Sequence, residues 1–100
     1  MPIEITETQR GFAVAEFTDE YGHKCSIQKS SLVEPQCIWL GVDDPNPQIL
    51  ARDTPQGGNG WVPFHIPKEV SLTTRMHLSQ EQVAALLPLL QRFVETGELS

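Results

Sequence analysis

Arg75 and His77 stand two positions apart in the stretch "SLTTRMHLS". On an extended strand such a pair shares one face, about 6–7 Å apart along the chain. With Ser71 and Thr73 they form a row of hydrogen-bond donors. A guanidinium fork beside an imidazole suits a phosphate, a carboxylate or an acidic partner side chain. Lys24 alternates with Ser26 and Gln28 in "KCSIQKS", and a strand carrying them beside Arg75 would make the patch cationic. Trp61 closes the segment "PQGGNGW", and an aromatic beside a glycine-rich loop is a common contact residue. Arg75, His77, Thr73, Lys24 and Trp61 are therefore the expected binding residues. The plainer alternative is a solvated strand face, since exposed faces of antiparallel sheets are normally polar, with Trp61 as a packed edge residue.

Other chemistry has weaker support. His23 and His65 have no partner at metal-like spacing, and neither Cys25 nor Cys37 has a close His or Cys at zinc spacing. Asp43, Asp44 and Asn46 lack the glycine at the sixth position and the acid at the twelfth that a calcium loop needs. The glycine segment lacks the Gly-Lys-Ser/Thr ending of a phosphate-binding loop. Ser30 and Ser31 do not sit in G-x-S-x-G. Cys25 and His23 would share a strand face, but no third group orients them. No metal, cofactor or catalytic set is expected.

Composition narrows the classes further. The chain has 100 residues, with 7 basic against 13 acidic residues and a formal net charge of −6. Nucleic-acid and anionic-membrane binders carry a basic surplus instead, so neither is expected. One domain spanning residues 1–100 is the natural size reading. The opening "MPIEITETQR" has neither a basic n-region nor an apolar h-region, so no targeting segment is expected. No apolar run approaches the roughly 20 residues of a membrane span. A cytosolic chain with two reduced, mostly buried thiols is the default reading.

The elements that must position these side chains follow from alternation. "IEITETQ", "FAVAEFTD", "KCSIQKS" and "CIWLGV" read as strands, the middle two joined by a hairpin over "DEYGHK". Trp39, inside the continuous apolar run, reads as a core or sheet-face anchor. "DDPNPQ" is a turn, "QILAR" a brief strand, and "DTPQGGNG" a mobile loop by composition. "WVPFHIP" carries two prolines and belongs at a sheet edge. A strand over residues 70–78 puts Val70, Leu72, Met76 and Leu78 on one face and the Arg75/His77 row on the other.

Ser79 and Gln82 form an S-x-x-Q capping box, Leu78 and Val83 a hydrophobic staple, and Gly97 a helix stop. Val83, Leu86, Leu87, Leu89, Leu90, Phe93 and Val94 cover an arc of roughly 160°, with Pro88 on the opposite, wet side. An arc that wide implies a helix lying flat on a sheet or also touching a second chain. The expected fold is α+β, an antiparallel sheet of about four to six strands with one C-terminal α-helix packed on one face. Two further expectations come from the thin core and apolar arc: a possible homodimer, and a loss of about 2–5 kcal/mol for Leu90→Ala.

The stretches "YGHKCSIQKSSL", "IWLGVDDPNP", "GWVPF" and "TTRMHLSQEQVAALLPLLQRFVETGEL" resemble a group of small uncharacterised proteins encoded by bacteriophages and prophages. The resemblance runs from Phe17 to Leu99. It implies a small accessory protein working in the cytoplasm of a bacterial host. The function expected from this context is non-enzymatic binding and inhibition of a host defence or regulatory protein. An oligomeric binder that sequesters an anionic small molecule or signal nucleotide is the alternative, and a virion or morphogenesis component a further one.

Overall fold

The computed structural model describes residues 3–100. The chain divides into two compact units, one running up to Asp43 and resuming over Arg75–Ser100, the other spanning Asp44–Thr74.

In the first unit, alternating residues and glycine-containing turns produce an antiparallel sheet. Its strands are β1 (Ile5–Glu7), β2 (Ala13–Thr18), β3 (Lys24–Lys29), β4 (Cys37–Val42) and β7 (Arg75–Ser79), in the spatial order β1-β2-β3-β4-β7. At the β1–β2 turn the Phe12 N–H donates to Thr8 Oγ1 at 3.1 Å, and Gly11 adopts φ 86°, a conformation that costs glycine least. The β2–β3 turn is organised by Asp19, whose Oδ1 accepts from the N–H groups of Tyr21 and His23, both at 2.9 Å. Asp19 Oδ2 lies 3.2 Å from His23 Nδ1.

The registers sort side chains onto two faces, because partners directly opposite in a ladder share a face. Ile5, Ala15, Ile27, Leu40 and Met76 align across all five strands. The opposite face carries Thr6, Val14, Gln28, Trp39 and His77 in one row and Glu16, Ser26, Gly41 and Arg75 in the next. Ala15, Cys25 and Cys37 are the buried apolar residues of this unit, with Ser26 and Ser30 buried beside them.

The helix α1 (Gln80–Thr96) begins where the sequence places it. Ser79 Oγ accepts from the Gln82 N–H at 3.2 Å, and Gln82 Oε1 accepts from the Ser79 N–H at 2.9 Å. Gly97 closes it with φ 77° and an N–H donated to the Phe93 carbonyl at 2.8 Å. Leu78 and Val83 line one groove of about 230 Å³ at the foot of the helix.

The second unit is a hairpin of β5 (Gln48–Leu50) and β6 (Trp61–Pro63), with a short 3-10 turn at Ala51–Asp53. The connection expected to be mobile is instead closed by hydrogen bonds. The Ala51 N–H donates to the Gly60 carbonyl at 2.8 Å, and Thr54 Oγ1 donates to the Ala51 carbonyl at 2.6 Å.

The α+β class and the antiparallel sheet stand as expected, and two details differ. The strand expected over residues 70–78 is confined to Arg75–Ser79. Its ladder partner β4 ends at Val42, and the pairing begins with Gly41 opposite Arg75. The helix also does not lie on the face of the sheet: its neighbouring strand is β7, and all of its residues but Val83 are exposed. Leu90 is 56% exposed, so the large truncation cost expected from burial does not arise from this chain alone. An amphipathic pattern reports that a stripe needs cover, not which molecule supplies it.

Asp19 yields a test of the β2–β3 turn. The His23 backbone N–H, with smaller contributions from the His23 ring and the Tyr21 N–H, holds its carboxyl below the usual range against partial desolvation. A depressed folded pKa contributes stability that is fully present above the unfolded value, about 4, and is lost as pH falls through the folded value. Asp19→Ala should lower the melting temperature at pH 7. It should also shrink the further loss as the pH falls below about 4, read by thermal melts at successively lower pH.

Candidate functional site

The polar face of the larger sheet gathers Arg75, His77 and Trp39 into one cluster. Trp39 and His77 are directly opposed in the β4–β7 ladder. Their rings stack with centroids 4.0 Å apart and planes 19° from parallel. Arg75 lies diagonally across the ladder, its Cζ 5.7 Å from the Trp39 ring centroid, within cation–π range.

Gly41 explains how Arg75 reaches further. It occupies the register position between Ser26 on β3 and Arg75 on β7. With no side chain there, the guanidinium crosses β4, and Nη1 donates to Gln28 Oε1 at 3.1 Å and to Ser26 Oγ at 3.4 Å. Ser26 Oγ in turn donates to Asp43 Oδ1 at 2.6 Å. Arg75 is thus fixed from below by neutral acceptors, with a carboxylate one bond further on. His77 is fixed as well. Its Nε2 lies 2.9 Å from Ser30 Oγ, which accepts from the Leu32 N–H at 3.1 Å.

Two shallow grooves adjoin the cluster. One, of about 480 Å³, is lined by Arg75, Ser26 and Gln28 and also by the acids Glu7, Glu16 and Asp43. The other, of about 390 Å³, is lined by Arg10, Phe12, Gln28 and Trp39. Arg10 Cζ stands 5.4 Å from the Phe12 ring centroid. The two grooves together offer two cations, two aromatic surfaces and a border of carboxylates. The charge on this face is mixed, and its hydroxyl–imidazole contact, Ser30 with His77, uses a hydroxyl that also accepts from the Leu32 N–H.

Of the expected binding residues, the structure brings Arg75 and His77 together. Lys24 shares their face, two positions along β3 from Ser26, and the strand between β3 and β7 is β4. Thr73 precedes β7 and lies in the 44–74 unit, as does Trp61, which is 63% exposed on β6. The sequence reading missed Trp39 as the centre of the cluster and Gly41 as its gap. A continuous apolar run hides which residues face which way; the signal was Gly41, two residues from Trp39 and hence on the same face.

Cys25 and Cys37 are free and buried. Cys25 pairs with Val42 and Cys37 with Ser79, at opposite ends of β4. Burial, with the carboxylates of Asp19 and Asp43, pushes the Cys25 thiol up, away from the nucleophilic thiolate form. Among the described residues, no group of three or more His, Cys, Asp or Glu could hold a metal ion, and no helix is long and apolar enough to cross a membrane.

A double-mutant cycle checks the bond that crosses Gly41. Arg75→Ala and Gln28→Ala should couple by about 0.5–1.5 kcal/mol in urea unfolding; additive losses would mean that the guanidinium is simply solvated. No protein-family model, curated protein or solved structure matches the chain.

Proposed function

We propose that this protein is a non-enzymatic phage or prophage accessory protein that docks on, and thereby inhibits, a defence or regulatory protein in the cytoplasm of a bacterial host. The observation that carries the docking surface is the Arg75–Trp39–His77 stack on the polar sheet face. Arginine and tryptophan are among the residues that dominate protein–protein binding energy. Here both are part-exposed, Arg75 held by its bond to Gln28 and Trp39 by its stack on His77, so little side-chain freedom remains to be lost on docking. The phage context rests on the sequence resemblance between Phe17 and Leu99, and inhibition of a host protein on that context.

The groove beside Arg75 favours a second reading, an anionic small molecule or signal nucleotide held by the guanidinium. Glu7, Glu16 and Asp43 in the same lining oppose an anion by like-charge repulsion. They suit instead a protein surface that presents basic groups around a central acceptor.

The test is affinity capture from host lysate, followed by binding measurements with the captured partner. The double substitution Arg75→Ala with His77→Ala should weaken binding by about 1–3 kcal/mol, as loss of a charge-assisted contact does. Because the pair is woven into the sheet, the same variant should also lose about 1–2 kcal/mol of folding stability. A variant that stays folded and binds with unchanged affinity removes this site. Tight binding of linear or cyclic nucleotides in calorimetry would replace the protein partner with the small-molecule reading.

A further inference from the structure

We propose that two copies of this chain pair by exchanging helices, α1 of each lying across the apolar face of the other's five-stranded sheet. The exposed area calls for a partner. The chain exposes 8490 Å², whereas a compact protein of 11.2 kDa exposes about 5,700 Å². Counting its two units as separate bodies raises that expectation only to about 6,800 Å². The excess, roughly 1,700–2,800 Å² per chain, is what an obligate dimer interface covers on each partner.

Exposed apolar residues line one face of the sheet and one arc of the helix. On the sheet, Ile5 is 74%, Ile27 36% and Met76 54% exposed, and all three align on one face. On the helix, Leu87, Leu90 and Phe93 are more than half exposed within one apolar arc. The junction between the two elements stops the helix from covering its own sheet. Ser79 is both the last residue of β7 and the N-cap of α1, so no linker residue exists to turn the helix back. Leaving in the direction set by that cap, α1 runs beside β7 alone as its main neighbour.

Each chain therefore carries a sheet without a helix and a helix without a sheet. One two-fold operation satisfies both deficits at once, which is the self-complementarity of an isologous dimer. The dimensions agree. A helix of 17 residues is about 25 Å long, and five strands span about 19 Å from first to last. Seated this way, the helices leave the Arg75–Trp39–His77 face open, so the assembly does not depend on the function proposed for that face.

Light scattering at micromolar concentration should return twice the 11.2 kDa chain mass. A single-chain mass with an intact circular dichroism spectrum overturns the proposal, whether the apolar surface is then bare or reserved for a different protein. Exchange itself is read by mixing a chain carrying Ile27→Cys with a chain carrying Leu90→Cys under mild oxidation. The peptide linked between positions 27 and 90 should exceed that from a control mixture with Glu81→Cys by roughly a hundred-fold, since thiols held together react at millimolar effective concentration. If that link forms only within a doubly substituted chain, or not at all, helix exchange is wrong.

Discussion

The pairing of β4 with β7 is the constraint on which the rest of the structure depends. In its register Trp39 faces His77 and Gly41 faces Arg75, and among the described residues it is the strand pairing that joins residues before Asp43 to residues after Thr74 in the larger sheet. A slip of one residue would invert every side chain of β7. Arg75 and His77 would then meet the apolar row of Ile27 and Leu40, and Met76 and Leu78 would enter the polar row. The slip would part the guanidinium from its acceptors on β3 and set it among apolar side chains, which disfavours the alternative. The hydrogen bonds that hold Arg75 also lock the sheet edge in phase.

That phase divides labour between the faces. One face is a continuous apolar band from Ile5 to Met76, with the matching stripe on α1. The other is a polar surface in which every buried hydroxyl has a partner: Ser26 with Asp43, Ser30 with Leu32 and His77. Burying the first against a second chain draws on hydrophobic area, whereas recognition on the second draws on a few oriented groups. The two can therefore operate together without competing for the same atoms.

The parts legible in the sequence were those decided locally. Ser79, Gln82 and Gly97 define the helix ends through bonds within four residues, and Gly11 and Gly22 sit at turns with φ of 86° and 83°. The three N-terminal strands follow alternation and turn chemistry in the same way, and β4 a continuous apolar run. The parts that were not legible depend on distant partners. Residues 70–74 alternate as a strand would, but the ladder with β4 begins at Arg75. Trp39 read as a core or sheet-face anchor because its neighbours Ile38 and Leu40 are apolar too, and only the register places it on the polar face, opposite Gln28 and His77. Arg75 and His77 were legible as a pair; their dependence on Ser26, Gln28 and Ser30, more than forty residues away in sequence, was not.

The junction at Ser79 has a mechanical consequence. A strand that becomes a helix without an intervening residue transmits orientation rather than absorbing it, because Ser79, the last register partner of the ladder, also sets the first helical turn through its N–H and hydroxyl. The helix then behaves as a rigid pointer hinged at the end of β7. A tilt of only about 10° there would carry its far end by about 4 Å, given a length of about 25 Å. The edge strand that bears Arg75 and His77 is therefore also the mount of the longest lever in the molecule.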